Sequence, residues 1–416
     1  MNVGATHGLS HMRPGSAEVR TVVLLSLGFG LVGIDRFLIS TMYPVIARDL
    51  HLNYSDIGLI TGALAIAWGI SALFMGNLSD RIGRRRVLTI SLIVFSLLIG
   101  ASGLATGLLT LIAVRVVMGF ADGAYTPVSI AGTLAASPAG RRGLNIGIQQ
   151  MMLPLFGLGL APLFVAGVLR FIEWRLVFLI FVVPGLLLAF SVWRTVPSAA
   201  TPSSEAKPRQ SWSDWKTVLS FSNVRVAALL MLCWLTCLIT TSAFMPNYLV
   251  DHLRLSPDQM GIVMSAIGLG ATIGTLLLPW LSDKVGRKPV MALSSIGVLV
   301  SLLLLANTGN SVVILFTFLF FVHFFNNALI ALTVGPLCIE AVPASLMATA
   351  SGLVIAVGEL FGGGLAPVIV GRVAQRFGIE HVLWLPIAVM GAGFLLCLAI
   401  KNSQPGAPLA SEQAYP

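Results

Sequence analysis

The segment Leu78-Ser79-Asp80-Arg81-Ile82-Gly83-Arg84-Arg85 returns 203 positions later as Leu281-Ser282-Asp283-Lys284-Val285-Gly286-Arg287-Lys288. Each copy reads as a short basic loop, headed by Asp and centred on Gly, between two long apolar runs. A weaker echo, Gly159-Leu160-Ala161-Pro162 against Gly364-Leu365-Ala366-Pro367, repeats at an offset of 205. Two echoes at nearly one offset in a chain of 416 residues mean two homologous halves, so the fold must be built from two copies of one unit.

The solvent of that unit follows from charge. Only 10% of the residues are charged and 56% are hydrophobic, whereas a soluble domain carries about 25% charged residues. With a mean hydropathy of +0.93, the chain cannot clothe a water-facing surface, and its solvent is lipid. Runs of roughly 20 apolar residues are needed to cross the hydrocarbon core, and twelve are present. They cover approximately 21–46, 55–78, 86–106, 108–136, 143–169, 174–194, 224–250, 257–281, 289–307, 311–339, 345–371 and 379–400. The expected fold is an all-α membrane protein with two pseudo-symmetric six-helix bundles, 21–194 and 223–400. A lead (1–20), a polar linker (195–222) and a tail (401–416) complete it. The linker carries Pro197, Pro202, Pro208 and the pair Trp212 and Trp215, which suit a short interfacial helix. The polar lead shows no signal-peptide pattern, so the first span is expected to act as the insertion signal.

Placing both termini in the cytoplasm puts 17 of the 25 Lys and Arg residues on that side and 6 on the other, with Arg36 and Arg115 inside the membrane. This asymmetry sets the orientation by the positive-inside rule and explains the net charge of +9 without a nucleic-acid partner. No basic patch alternates with aromatics on a polar face. Cys233, Cys237, Cys338 and Cys397 all lie in apolar stretches and read as packing thiols. No HExxH, metal-spaced His/Cys set or glycine-rich phosphate loop is present, which argues against an enzyme. No cofactor is expected.

Ionisable groups at mid-bilayer cost about 2.5–3.5 kcal/mol each on insertion scales, so they mark function by default. The first span holds Asp35 and Arg36, and the fourth holds Arg115 and Asp122. Arg36, Ser40 and Tyr43 fall on one helical face, and Arg115, Asp122 and Ser129 on another. Such stripes suit a shared cavity wall, although mutually neutralising ion pairs would also account for them. Arg is the side chain built to hold a carboxylate bidentately, and a neighbouring acid withdrawn from water can carry a proton. We therefore expect Arg36 and Arg115 to bind substrate, and Asp35 and Asp122 to handle protons. In the second half, Glu359 reads equally as a coupling acid or as a partner to a polar group nearby. His323 is a packing residue or a relay. Tyr43, Gln149, Gln150, Asn247 and Asn327 are candidate substrate contacts, and Glu340 is a candidate gate partner for Lys284, Arg287 or Lys288.

Twelve spans, a central linker and Gly76-x-Leu78-Ser79-Asp80-Arg81-x-Gly83-Arg84-Arg85 resemble the major facilitator superfamily. The resemblance implies gating roles for Asp80, Arg81, Gly83 and Arg84, and for Asp283, Lys284 and Arg287, through ion pairs and helix-end contacts that hold an outward-open state. Asp35-Arg36 with Tyr43-Pro44, and Arg115-x3-Gly119-x2-Asp122-Gly123-x3-Pro127, resemble its anion:cation symporter branch. That likeness implies a first-helix Arg on the substrate carboxylate and a fourth-helix acid in proton coupling, an acid that is usually Glu where this chain has Asp122. The expectation is proton-coupled symport of a small organic anion (a sugar acid, hydroxy acid or aromatic acid) by a monomer in the inner membrane, driven by the proton gradient. The alternatives are a proton-antiport exporter, whose fifth-helix Gly-Pro pair is broken here by Ala161, and a ligand-binding sensor.

Overall fold

A computed structural model describes residues 15–197, 212–343 and 346–400, with the side chains of 75–81, 139, 212–214 and 348 outside that description. Twelve helices are long and apolar enough to span a membrane. In chain order they are α1 (Ser16–Asp49), α2 (Tyr54–Ile82), α3 (Arg84–Ser102), α4 (Leu108–Ala136), α5 (Arg142–Val168) and α6 (Trp174–Thr195). The second set is α7 (Ser222–His252), α8 (Pro257–Val285), α9 (Arg287–Ala306), α10 (Val312–Leu337), α11 (Thr349–Phe377) and α12 (Ile379–Leu398). No strand occurs among the described residues. Helices are what lipid demands, because each satisfies its own backbone hydrogen bonds where no water can.

The chain forms two six-helix bundles packed side by side. In α1 and α7, 83% of the most apolar window is buried, against 28% in α6 and 33% in α12. The first pair therefore lies where the bundles meet, and the second turns outward, carrying exposed Val183, Leu187, Phe190 and Leu395 toward lipid. Boundaries shift from expectation at several places. α1 begins inside the lead, at Ser16, and α11 runs on to Phe377 because Val370, Gly371 and Ala374 remain buried. The short helix Trp212–Ser220 precedes α7, and Trp215 packs against the core.

The repeated basic segment is not a loop of eight residues. Helix continues to Ile82 and resumes at Arg84, and to Val285 and resumes at Arg287. A single glycine makes each turn, with φ 93° and ψ 130° at Gly83 and φ 103° and ψ 152° at Gly286. Both lie where an L side chain is disfavoured, which explains why the centre of the motif is Gly in both copies.

The second echo also has a structural form. π-helical turns occupy Leu155–Leu160 in α5 and Gly358–Leu365 in α11, each ending just before the Ala-Pro pair. Ala161 N–H bonds Phe156 O, and Ala366 N–H bonds Phe361 O, a five-residue step at equivalent places. Glycines in and beside these segments let the halves touch backbone to backbone. Gly58 and Gly62 of α2 face the carbonyls of Pro367 and Gly364 of α11, while Gly268 of α8 faces Gly159 of α5. These are symmetry-equivalent contacts in a duplicated fold, and both are small-residue helix crossings.

Candidate functional site between the halves

Arg36 lies near the middle of α1, 9% exposed. Its guanidinium meets Glu359 of α11 in a two-point fork, Nη1 to Oε1 at 3.0 Å and Nη2 to Oε2 at 2.7 Å. The flat face of the same guanidinium lies 4.4 Å from the ring centroid of Trp68 on α2, with Phe37 at 5.7 Å. Three helices from both bundles thus fix one cation. Gly363 makes room for it, since a Cβ there would stand 2.8 Å from Glu359 Oε2 and 3.7 Å from Arg36 Nη2. Beside the pair, Arg36, Ser40, Thr61, Leu64, Arg115, Ile239 and Ala243 line a void of about 10 Å³, which holds about one water molecule.

A second buried cluster adjoins it. Arg115 of α4 donates from Nη1 to the carbonyl of Asp35 at 2.6 Å, so it braces the backbone of α1 rather than a carboxylate. Arg115 Nε and Nη2 have no hydrogen-bond partner. The carboxyl groups of Asp35 and Asp122 are neighbours in this cluster and act on one another electrostatically. All four of their oxygens are buried without a donor. Two acceptors facing one another in a dry interior are satisfied by a proton held between them. Gly119, between Arg115 and Asp122, and Gly123, just after Asp122, pack against α2 at Leu64 to Ser71 and serve helix contact.

Other expected contacts fall elsewhere. Tyr43 donates its hydroxyl to Asn53 O at 2.6 Å beyond the end of α1, and Asn247 donates to Asp251 at 2.8 Å. Both stand at the end of the bundle away from the basic turns, so the structure does not bring them to Arg36. Gln149 donates to Ser129 at 2.9 Å, and Gln150 is half-buried with Oε1 unpartnered. Asn327 bonds its own helix at His323 O, 3.2 Å away. His323 is fully buried with Nε2 3.1 Å from Thr241 Oγ1, and Asn326 donates to Trp234 O at 3.1 Å. These last contacts join α7 to α10 within one half. All four cysteines are buried and free.

At the basic-turn end, the side chains of Asp80 and Arg81 lie outside the described residues. Arg84 is half-buried, and the neighbouring Arg85 stacks on Trp193 at 4.5 Å. In the second half, Arg287 pairs with Asp283, reaches Glu340 at 3.1 Å and bonds Ser282 at 2.6 Å. Of the three expected partners of Glu340, Arg287 is the one in contact. Lys284 lies over Trp280 at 3.9 Å, and Lys288 caps the carbonyls of Leu398 and Ile400 at 2.8 and 3.2 Å.

Among the described residues, side-chain hydrogen bonds and ion pairs between the halves occur at mid-height and at the opposite end alone. There Tyr54 joins Asp251 at 3.1 Å and Gln375 at 3.1 Å, Ser55 joins Gly371 at 3.4 Å, and Arg48 approaches Asp251 at 3.5 Å. Arg170 pairs with Asp258 at 2.5 Å. Asp251 is the hub of this seal. These residues did not stand out in the sequence because each is an ordinary loop or helix-end polar group whose partner is more than 80 positions away.

The Major Facilitator Superfamily profile matches residues 25–248 and 237–414. The chain is 28% identical over 308 residues to the 3-(3-hydroxy-phenyl)propionate transporter of Escherichia coli, covering 73% of this chain and 75% of that protein. It is 26% identical over 394 residues to the cis,cis-muconate transport protein of Acinetobacter baylyi, covering 89% and 92%. A crystal structure of a bacterial homolog to the human lysosomal transporter Spinster, inward-facing and unoccupied, superposes with a TM-score of 0.77 at 17% identity, covering 94% and 99%. The chain belongs to the Major Facilitator Superfamily: it is a multi-pass membrane transporter and not an enzyme.

Proposed function

We propose that this member of the superfamily carries a small organic acid, as its carboxylate, together with protons into the cell across the inner membrane, by alternating access. The observation that carries this reading is a guanidinium fork at the centre of an apolar bundle, held between the two halves and beside two facing carboxyl groups. A carboxylate is the ligand that a planar two-point donor matches best. Proton exchange at Asp35 and Asp122 changes the charge of the interior, and that charge governs how readily the halves reorient around it. The relatives named for a phenylpropionate and a muconate support an organic acid as cargo. With the basic turns placed in the cytoplasm by the positive-inside rule, the polar seal lies on the outer face. The described state is then closed to the outside.

The test is lumenal pH in proteoliposomes while sugar acids, hydroxy acids and aromatic acids are added outside in turn. Lumenal acidification for one chemical group is expected. Asp122→Asn should keep acid binding and abolish accumulation driven by a pH gradient. Lumenal alkalinisation on acid addition would instead establish antiport, and loss of binding in a folded Asp122→Asn variant would remove Asp122 from proton handling.

A further inference from the structure

The fork assigned to substrate already holds a carboxylate, that of Glu359. This contact spans 323 positions and is the one buried ion pair joining the halves at mid-height among the described residues. We propose that Glu359 is the internal ligand of Arg36: an incoming carboxylate takes its place, and the displaced Glu359 is retained as the neutral acid. Each carboxylate is thereby carried with one proton on Glu359. The inference rests on the reading that the cargo is an organic acid, and it names how that cargo is exchanged for an internal group.

Three observations carry it. The first is geometry, since both oxygens of Glu359 use the two terminal nitrogens that a substrate carboxylate would use. The second is room, because the void beside Arg36, at about 10 Å³, is too small to admit an organic acid in the described state. The third is charge. The buried interior holds Arg36 and Arg115 against Asp35, Asp122 and Glu359. One proton shared by the two aspartates leaves it neutral, and a monoanion then adds one negative charge that nothing opposes. Uptake of one proton from the aqueous phase by Glu359 restores neutrality, the proton adding to a carboxylate oxygen as the two N–H···O contacts to Arg36 are released.

Besides Asp35 and Asp122, which already share one proton in this count, no acid among the described residues lies beside the Glu359 segment. α2 and α7 pack against the Glu359 segment. α2 carries charge only near its ends, at Asp56, Asp80 and Arg81. α7 carries it at Arg225, Asp251 and His252, with Cys233, Cys237 and Tyr248 as its titratable groups between. What faces the Glu359 segment from these helices is apolar: Gly69 against the Glu359 Cβ, and Met231 and Leu235 against Gly358. His323 is engaged with Thr241 inside the second half.

The experiment uses the purified full-length protein in detergent, with acetate as the minimal probe. Glu359→Ala vacates the fork, so acetate is expected to raise its melting temperature above that in chloride at equal ionic strength. Arg36→Ala/Glu359→Ala should show no such acetate-specific rise. Indifference of a folded Glu359→Ala to acetate overturns the internal-ligand reading. A second arm measures binding of 3-(3-hydroxyphenyl)propionate and galacturonate against pH. One proton taken up per acid bound makes wild-type affinity weaken about tenfold for each unit of rising pH, and Glu359→Gln should bind with no such slope. An unchanged slope in Glu359→Gln overturns the proton assignment while leaving acid transport intact. Failure of both acids to bind the wild type would count against the proposed cargo, and the acetate arm would still decide the role of Glu359.

Discussion

Removing either member of the Arg36–Glu359 pair should be costly, and removing both should not. The two side chains are 8% and 7% exposed, so solvent neither screens the pair nor rescues a widowed partner. Arg36→Ala strands a carboxylate that has lost both of its charge-assisted bonds, a change that typically costs about 3–5 kcal/mol. Glu359→Ala strands a guanidinium instead, but that cation keeps the face of Trp68 at 4.4 Å. A desolvated cation–π contact is worth about 0.5–2 kcal/mol, so Glu359→Ala should be the milder single change by roughly that amount. The double variant leaves no unpaired charge and should recover most of the loss. Equilibrium unfolding in mixed micelles measures all four proteins, and the double-mutant cycle should return a coupling energy on the order of 3 kcal/mol. Two single costs that simply add would mean that the side chains do not interact in the folded protein, and both the site and the internal-ligand inference would fall with them.

Two further outcomes follow from the backbone contacts. Gly268→Leu directs a side chain into the backbone of Gly159, so it should hold the sealed end open; an impermeant thiol reagent added from that side should then label Thr61→Cys faster in a cysteine-free background, and unchanged labelling would contradict the described crossing. Gly286→Val should lower stability by about 1–2 kcal/mol because of its φ of 103° and not through a clash, since the nearest foreign atoms to a Cβ stand 3.7 Å away. Gly286→Asn should fare little better, because a ψ of 152° lies far from the left-handed helical region where Asn is accepted, and a wild-type melting temperature in either variant would refute the conformational argument.

What was legible in the sequence was local or repeated. Apolar length marks a membrane helix without reference to any neighbour, and the glycine turns were visible because the same backbone requirement occurs twice. The rotation of one helix against another is not local, and the partner of a buried charge depends on it. Arg36 stood out as a lone cation on an apolar helix, yet nothing in the sequence chose Glu359 over Asp35 or Asp122 as its mate. Tyr43 shows the complementary error. It does share a face with Arg36, but seven residues of helix carry it about 10 Å along the axis, far enough to reach Asn53 in the loop after α1 and not the central void. Helical spacing carries the face on which a side chain lies and not its height within the membrane. Asn247 likewise stands at the sealed end, where it serves the seal through Asp251.

The echo of Gly-Leu-Ala-Pro had more content than a mark of duplication. A proline has no N–H, so Pro162 and Pro367 each remove one rung from the helix ladder. The chain accommodates this by widening the turn ahead of each proline into a π segment, and the segment in α11 is the one that bears Glu359. A widened turn frees carbonyls and loosens the helix at that height, while its glycines let α2 or α8 approach. The side chain proposed to leave Arg36 when cargo arrives therefore stands on the less regular part of its helix, where a shift of one side chain disturbs fewer backbone bonds than it would in a regular α-helical turn. The equivalent stretch of α5 has no acid, Leu155 to Leu160 being apolar or glycine. Duplication supplied the same hinge-like turn to both halves, and the acid that faces the cation is present in only one of them.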